Sequence, residues 1–530
     1  MKNQTPRSTC SYWNDTTLKP YFPSLKTNLD YDVCIVGAGI AGLLCAYRLQ
    51  KENLRVCILE AHQVASGQTG LTTAQCTMVL DKRYYEIEKL FGEEITALVA
   101  KSHQEAIKEF ERIVLEEGID CDFAKVNSYL FTETFESPEK LSLELEVLHR
   151  AHIHEVHMLP HAPFEEYETG ACLVFPEQVQ LHPMKFVQGM VKYLIENGVK
   201  IFCDTSVTKI KEENQRVEIT THEGHKVRAQ NAIIATNTPV NNLVAIHTKQ
   251  AAYRTYVVGF RVPRGTFSQS FFWDTKNPYH YIRLQHLDEG SDLLLVGGAD
   301  HKTGQNKISA EVFANIEQWA RARFKSLQEV LYTWSGQVMQ SNDGLAFLGK
   351  NPGNDLVYVI TGDSGNGFTN AMIGSMIITD QAQNFSNSLI DVYSPSRVTL
   401  GAINTFLKEN FNTTVQYADW IQYKSENALE DLKPGEGEVI NNGFEKIAVF
   451  RDETGHLKMR SAVCTHLGGI VRWNGAEKSW DCPCHGSRFN MNGEVIEGPA
   501  NKNLGAIKKE KQIAIETLHS SKSSDLNKVF

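Results

Sequence analysis

The first clear pattern along the chain is a short apolar run, Val33 to Val36, that breaks into glycines and resumes as an amphipathic stretch: YDVCIVGAGIAGLLCAYRLQ, residues 31–50. It reads as strand, tight turn and helix. LRVCILEA (54–61) follows as a second strand that ends on an acid, Glu60. Residues 83–117 place Ile87, Leu90, Phe91, Ile95, Leu98 and Val99 at helical spacing, which predicts a mostly helical segment. Between 251 and 300 the period changes. YRTYVVGFRV, YHYIRLQ and DLLLVGG are alternating or apolar runs separated by turn residues, so an antiparallel sheet is expected. NAIIATNTP (231–239) is an apolar strand opening into a turn of small residues. LVYVITGDSGNGFTNAMIGSMIITD (356–380) repeats the strand–glycine–helix pattern, with Gly362, Gly365 and Gly367 in the turn and Ala371, Ile373, Met376 and Ile377 on the helix. From about 433 to 517 the chain is strand-like and turn-rich (KIAVFRDETGHL, GGIVRWNG, GEVIEGPA), which predicts a small all-β domain.

A chain of 530 residues exceeds what one hydrophobic core usually supports, so two or three domains are expected. With 42% hydrophobic and 22% charged residues it has the composition of a folded globular protein. A net charge of −10 without a concentrated basic block argues against a nucleic-acid partner. No run of 18 apolar residues predicts a membrane span, and residues 1–30 lack the apolar centre of a signal peptide. The cysteines number eleven, and Cys34, Cys45 and Cys57 sit in apolar runs; buried reduced thiols and a cytoplasmic setting are expected, not a disulfide framework.

Gly37, Gly39 and Gly42 have the spacing G-x-G-x-x-G between a strand and a helix. The chemistry behind that spacing is specific. The chain must turn sharply, bring its backbone against a pyrophosphate and pack helix closely on strand, while the helix N-terminus supplies unpaired N–H groups. Glu60, eighteen positions after Gly42, can accept hydrogen bonds from both hydroxyls of a ribose. Strand, glycines, helix, strand and terminal acid together predict a dinucleotide site. The small, polar, glycine-bearing stretch VASGQTGLTTAQ (64–75) suits backbone running beside a long, deeply bound cofactor, and the second glycine turn at 362–367 could stabilise negative charge on a reduced flavin ring.

Near the C-terminus, CTHLGG (464–469) and CPCHGS (482–487) share the geometry Cys-x-His, fifteen residues, Cys-x-x-His. Two loops, each giving a thiolate and an imidazole, suit a tetrahedral zinc. They suit equally a Rieske [2Fe-2S] cluster, with two cysteines on one iron and two histidines on the other.

VGAGIAG, ILEA, SGQTGLTTA, AIIAT and ITGDSGNGFTN together resemble the FAD-dependent amine and amino-acid oxidoreductases of the D-amino-acid oxidase, glycine oxidase and sarcosine oxidase type, over residues 30–385. The resemblance implies an α/β FAD-binding, Rossmann-like domain in pieces (about 30–85, 165–240 and 335–385). A substrate domain built on an antiparallel sheet would take 86–164 and 241–334. It also implies FAD contacts at Gly37, Gly39, Ile40, Ala41, Gly42, Glu60, Ala61, Thr69, Thr72, Thr73, Ala74, Val207, Ala235, Thr236, Gly365, Asn366, Gly367, Phe368 and Thr369, and no dedicated catalytic acid or base. CTHLGG, CPCHGS and the following GPA resemble the Rieske domain pattern over 433–517, after a linker at 386–432. That resemblance carries over Cys464, His466, Cys482 and His485 as iron ligands. In the Rieske proteins of respiratory complexes, the middle cysteine of the second motif is tied by a disulfide to a cysteine three residues after the first motif's histidine. Here that position is Gly469, so Cys484 is expected to be a reduced thiol behind the loop.

Joining a two-electron flavin to a one-electron cluster points to an FAD-dependent oxidoreductase of an amine, amino acid or related small molecule, with electrons passed to the cluster and on to an unknown acceptor. An oxidase that uses oxygen, with a structural or sensing cluster, and a non-catalytic electron-transfer flavoprotein are the alternatives. For substrate anchoring, PYHYIRLQ (278–285) alternates Tyr279, Tyr281 and Arg283 onto one face of a strand, where the arginine could clamp a carboxylate. His182 in QLHPMKF reads as a capping or core histidine.

Overall fold

A computed structural model describes residues 9–239, 246–305, 311–399, 429, 431–442 and 445–507. The expected linker at 386–432 and the last residues of the predicted C-terminal domain lie largely outside them. The chain divides into two compact units: 1–250, 254–300 and 315–406 form the first, and 251–253, 301–314 and 407–530 the second.

The glycine motif sits in a largely parallel sheet. Leu29–Val36 runs at its middle, parallel to Val56–Leu59 on one side and Lys226–Ile234 on the other. Lys200–Phe202 extends the first edge and Val357–Thr361 the second, both parallel. Phe347–Lys350 and the hairpin of Val207–Glu213 with Arg216–Thr221 add antiparallel margins. Strand alternation explains the unbroken apolar run: Val33 and Ile35 pack on one face with the helix Ile40–Lys51, and Cys34 and Val36 on the other. A sheet covered on both faces leaves only its strand ends for a ligand.

The second sheet carries Val330–Ser341, Gln250–Pro263, Ser291–Lys302, Tyr281–His286, Ser270–Asp274, Ala124–Phe131, Cys172–Gln180 and Gln75–Cys76 in that spatial order, with His157–Leu159 beside Cys172–Gln180. Within the antiparallel sheet expected here, Ser270–Asp274 runs parallel to Ala124–Phe131. Those strands come from distant segments, so no hairpin dictates their direction. The predicted helical segment is two helices, Tyr84–Phe91 and Glu93–Glu116, separated at Gly92 with φ of +84°.

The second unit contains two small antiparallel sheets. Gly437–Asn442, Glu445–Arg451 and Leu457–Ser461 form one; Arg472–Asn474, Ser479–Asp481, Arg488–Asn490 and Val495–Glu497 form the other. Among the described residues no helix is long and apolar enough to cross a membrane.

Candidate functional site

The G-x-G-x-x-G turn has the packing that its chemistry demands. Gly37 adopts φ of +105°, and a Cβ there would lie 2.5 Å from the Ala235 carbonyl oxygen. A Cβ on Gly42 would lie 2.0 Å from the Gly37 oxygen, so the helix reaches the strand only because both are glycine. Gly39 caps the helix Ile40–Lys51 without a side-chain bond of its own, so the cap residue does not occupy the helix N-terminus, the kind of place where an anion binds. Thr69 takes the Ile40 N–H at 3.0 Å, and Glu60 accepts from the N–H groups of Ala38 at 2.8 Å and His62 at 2.9 Å. Ala61 follows Glu60 at the strand end, Ala235 and Thr236 adjoin Gly37, and Val207 is buried at the start of its strand. These residues fit a dinucleotide: a glycine turn that packs helix on strand, a helix N-terminus capped by glycine and an acid beside it.

The stretch after Thr69 is pinned along its whole length. The Gly70 carbonyl accepts from Ser11 Oγ at 2.5 Å and Asn14 Nδ2 at 3.1 Å. The Leu71 carbonyl accepts from Trp334 Nε1 at 2.8 Å, and that of Thr72 from Trp13 Nε1 at 2.6 Å. Those of Thr73 and Ala74 both accept from Arg283 Nη1, the second at 2.9 Å. Arg283 Nη2 donates to Leu181 O at 2.8 Å and Gln285 Oε1 at 3.0 Å, and Trp13 lies 4.9 Å from the guanidinium. Arg283 was expected to clamp a substrate carboxylate; its observed partners favour instead a role in holding residues 73–74 and 181. The side chain is 0% exposed and both Nη atoms are committed to the protein. Trp13, Trp334 and Ser11 lie far from residues 70–74 in sequence, and no local motif marks them.

Tyr279 and Tyr281 part company with Arg283. Their rings are 6.0 Å apart. Tyr279 donates to Asp81 Oδ1 at 3.0 Å, and the Tyr281 and Thr255 hydroxyls share a bond of 3.0 Å. Three carboxyls gather here. Burial pushes Asp81 up to about 6, opposed by the positive charge of Arg83 and the bond from Tyr279. It pushes Asp300 up to about 7, opposed by a bond from Thr255 and reinforced by the charge of Asp81, and Asp363 up to about 7, against a bond from the Gly365 N–H. The second glycine turn lies against them: a Cβ on Gly365 would sit 2.6 Å from Asp81 Oδ2, and one on Gly367 2.8 Å from Asp363 Oδ2. Asn366 donates to Val79 O at 3.0 Å and Thr369 to Thr77 O at 3.2 Å, so the helix Gly367–Ala382 begins, with Phe368 buried, against residues 77–81. His182 caps the helix Pro183–Glu196, its Nδ1 accepting the Lys185 N–H at 3.3 Å.

In the second unit, the two Cys/His loops are built alike. Cys464 N–H donates to Gly469 O at 2.8 Å and Gly468 N–H returns to Cys464 O at 3.0 Å. Cys482 N–H donates to Ser487 O at 2.8 Å and Gly486 N–H returns to Cys482 O at 3.1 Å. Gly468 and Gly486 have nearly the same left-handed φ, +78° and +77°. Each loop thus closes on its own cysteine; the first offers one thiol and one imidazole, the second the thiols of Cys482 and Cys484 and one imidazole. The thiols of Cys464 and Cys482 are both 2% exposed and lie within hydrogen-bond reach of each other, which raises Cys464 above the usual thiol range. The half-exposed rings of His466 and His485 have centroids 5.0 Å apart. Among the described residues no three such side chains converge on a single ion position. Cys464 is paired with Cys482 and His466 with His485, which suits the mixed ligation of a two-iron cluster, while the Cys484 thiol also lies within hydrogen-bond reach of Cys482. Ser487 Oγ is in reach of Cys464 and accepts the Ala500 N–H at 3.0 Å.

Comparison with known proteins finds both domains. The family described as "FAD dependent oxidoreductase" matches residues 32–381, and "Rieske [2Fe-2S] domain" matches 423–512. The Rieske 2Fe-2S iron-sulfur protein YhfW of Bacillus subtilis (strain 168) is 31% identical over 500 residues, 94% of this chain and 97% of that one. The cytochrome b6-f complex iron-sulfur subunit 1 of Nostoc sp. (strain PCC 7120 / SAG 25.82 / UTEX 2576) is 57% identical over 44 residues, 8% of this chain and 25% of that one. Among solved structures, glycine oxidase from Geobacillus kaustophilus superposes with a TM-score of 0.59 at 18% identity, covering 70% of this chain and 100% of that one. At that identity the likeness speaks to the fold alone.

Proposed function

Since the chain belongs to the FAD-dependent oxidoreductases and carries a C-terminal Rieske [2Fe-2S] domain, we propose that it oxidises an amine, an amino acid or a related small molecule and delivers the electrons through the cluster. One observation carries this reading: a two-electron site and a one-electron site are built into one polypeptide. FAD takes up two electrons from a substrate C–H bond as a hydride, and the cluster relays electrons singly.

The chain's own residues prepare the rest. Gly37, Gly39 and Gly42 admit the pyrophosphate to the helix N-terminus, and Glu60 is placed to orient a ribose. The pinned carbonyls of residues 70–74 hold Thr72, Thr73 and Ala74 in fixed conformation beside it. Tyr279 and Tyr281, anchored on Asp81 and Thr255, shape the substrate end. Cys464 and Cys482, both buried, would hold one iron, and His466 and His485, half-buried, would hold the other. The buried thiols Cys34, Cys45 and Cys57 support a reducing, cytoplasmic setting.

An anaerobic screen of amines and amino acids tests the reading, with flavin absorbance as the signal. Bleaching by one substrate class is expected. Failure of the whole panel, with FAD bound, would leave an electron-transfer flavoprotein in its place. Stoichiometric peroxide in air would make the protein an oxidase.

A further inference from the structure

The two cluster loops lack the covalent tie that the resemblance associates with such loops. Cys484 is in no disulfide, and Gly469 occupies the facing position, where a Cβ would lie 2.6 Å from Cys484 Sγ. Within the same unit, a turn at residues 301–305 lies across the second loop. Gly304 (φ +69°) lays its backbone on the peptide between Cys482 and Pro483. A Cβ there would sit 2.7 Å from Asp481 O, 2.8 Å from Pro483 N and 3.0 Å from the Cys482 carbonyl carbon. Gln305 Nε2 donates to Pro483 O at 3.4 Å. Its own carbonyl accepts from Arg472 Nη1 at 2.7 Å, and Arg472 opens the strand Arg472–Asn474, which follows directly on the first loop. Thr303, 2% exposed, anchors the turn by donating its N–H to Ala252 O at 2.9 Å.

From this bridge we infer that the turn 301–305 is a non-covalent staple for the cluster loops. It holds the second loop by backbone contact and the exit of the first through Arg472, in place of a disulfide. Glycine at 304 is what allows the approach, because any side chain would enter the Cys482–Pro483 peptide. The cluster-binding unit is therefore discontinuous in sequence, with Gln305 and Arg472 meeting across 167 residues. The inference rests on the Rieske assignment and not on which substrate the flavin oxidises.

The full-length holoprotein tests it. Gly304→Val should lose iron and labile sulfide faster than the parent on mild warming, read by visible absorbance and by the electron paramagnetic resonance of the reduced cluster. FAD content should not change. Gly455→Val is the control: it has the same left-handed strain (φ +88°) with nothing within 4 Å, and should decay at the parent rate. Equal decay of the two variants would mean backbone strain alone, and would overturn the staple. If Gly304→Val takes up no cluster, Arg472→Gln, which removes the donor to Gln305, should still decay faster than parent; decay at the parent rate would overturn it too. The sharper arm is rescue. Adding Gly469→Cys to Gly304→Val or Arg472→Gln, then oxidising with glutathione disulfide, joins the new thiol to Cys484. The two sulfurs give up two protons and two electrons, and the oxidant leaves as two glutathione thiols. Cluster loss should slow towards the parent rate and speed up again under dithiothreitol. A disulfide verified by thiol count that leaves the decay fast would show that the turn does not join the loops.

Discussion

Arg283 donates to the carbonyl of Ala74 at 2.9 Å, and this bond closes a row in which every carbonyl from Gly70 to Ala74 accepts from a side chain. A backbone held this way cannot relax around an empty site, and it keeps its amides where a cofactor needs them. Removing the guanidinium leaves buried carbonyls at Thr73, Ala74 and Leu181 without that donor, at a cost of about 1–3 kcal/mol each where nothing replaces it. Arg283→Met should therefore lower the melting temperature and let FAD escape on dialysis. A variant that kept its FAD and showed only a raised KM for a carboxylate substrate would restore the clamp.

Glu60 accepts the N–H groups of Ala38 and His62, and the proposed FAD site gives it a ribose to bind. Glu60→Ala should weaken FAD binding by about 1–3 kcal/mol. Glu60→Gln, which keeps an acceptor oxygen, should lose less. Titration of the apoprotein by flavin fluorescence gives both affinities, and an unchanged value for Glu60→Ala would remove the residue from the site.

These two residues mark what a sequence reader can reach. Glu60 could be proposed from the sequence because dinucleotide chemistry fixes the place of such an acid after the glycines, all within one strand–helix–strand unit. Cys464, His466, Cys482 and His485 could be proposed as ligands for the same reason, since each loop closes within six residues. The protein partners of Arg283 were not legible because alternation in a strand gives its face and not its partners, and Thr73 and Ala74 lie some 210 and 209 residues away. Trp13 and Trp334 serve the same segment without any signature. The parallel pairing of Ser270–Asp274 with Ala124–Phe131 and the contact of Gly304 with Cys482 are tertiary in the same sense.

Asp300 gives a pH dependence of defined sign. Burial raises its carboxyl to about 7, whereas the unfolded chain titrates near the ordinary value of 3.8. Between those values the folded state holds the extra proton, so the contribution of Asp300 is fully present below about pH 4 and is lost as the pH rises through 7. Asp300→Asn removes the titration. The melting temperature of the variant minus that of the parent should climb from pH 4 to pH 8, and a difference that stays flat would contradict the assignment.

The two cysteines of CPCHGS should behave in opposite ways. Cys482 is buried against Cys464, whereas Cys484 is half-exposed and lies over Gly469. Cys482→Ser should abolish the cluster's visible and paramagnetic signals. Cys484→Ser should keep both, with a modest loss of stability, because a thiol in that place acts mainly as a small apolar group. The reverse outcome would overturn the ligand assignment and the Rieske reading together.

Passage of electrons from flavin to cluster is the central claim, and it can be watched directly. The oxidised holoprotein is mixed anaerobically with a substrate that bleaches the flavin, frozen at intervals, and examined by electron paramagnetic resonance. The reduced-cluster signal should grow in step with substrate oxidation, with no added mediator, and should be absent in Cys482→Ser although its flavin still bleaches. A flavin that is fully reduced beside a cluster that stays oxidised, when dithionite can reduce that same cluster, would contradict the account.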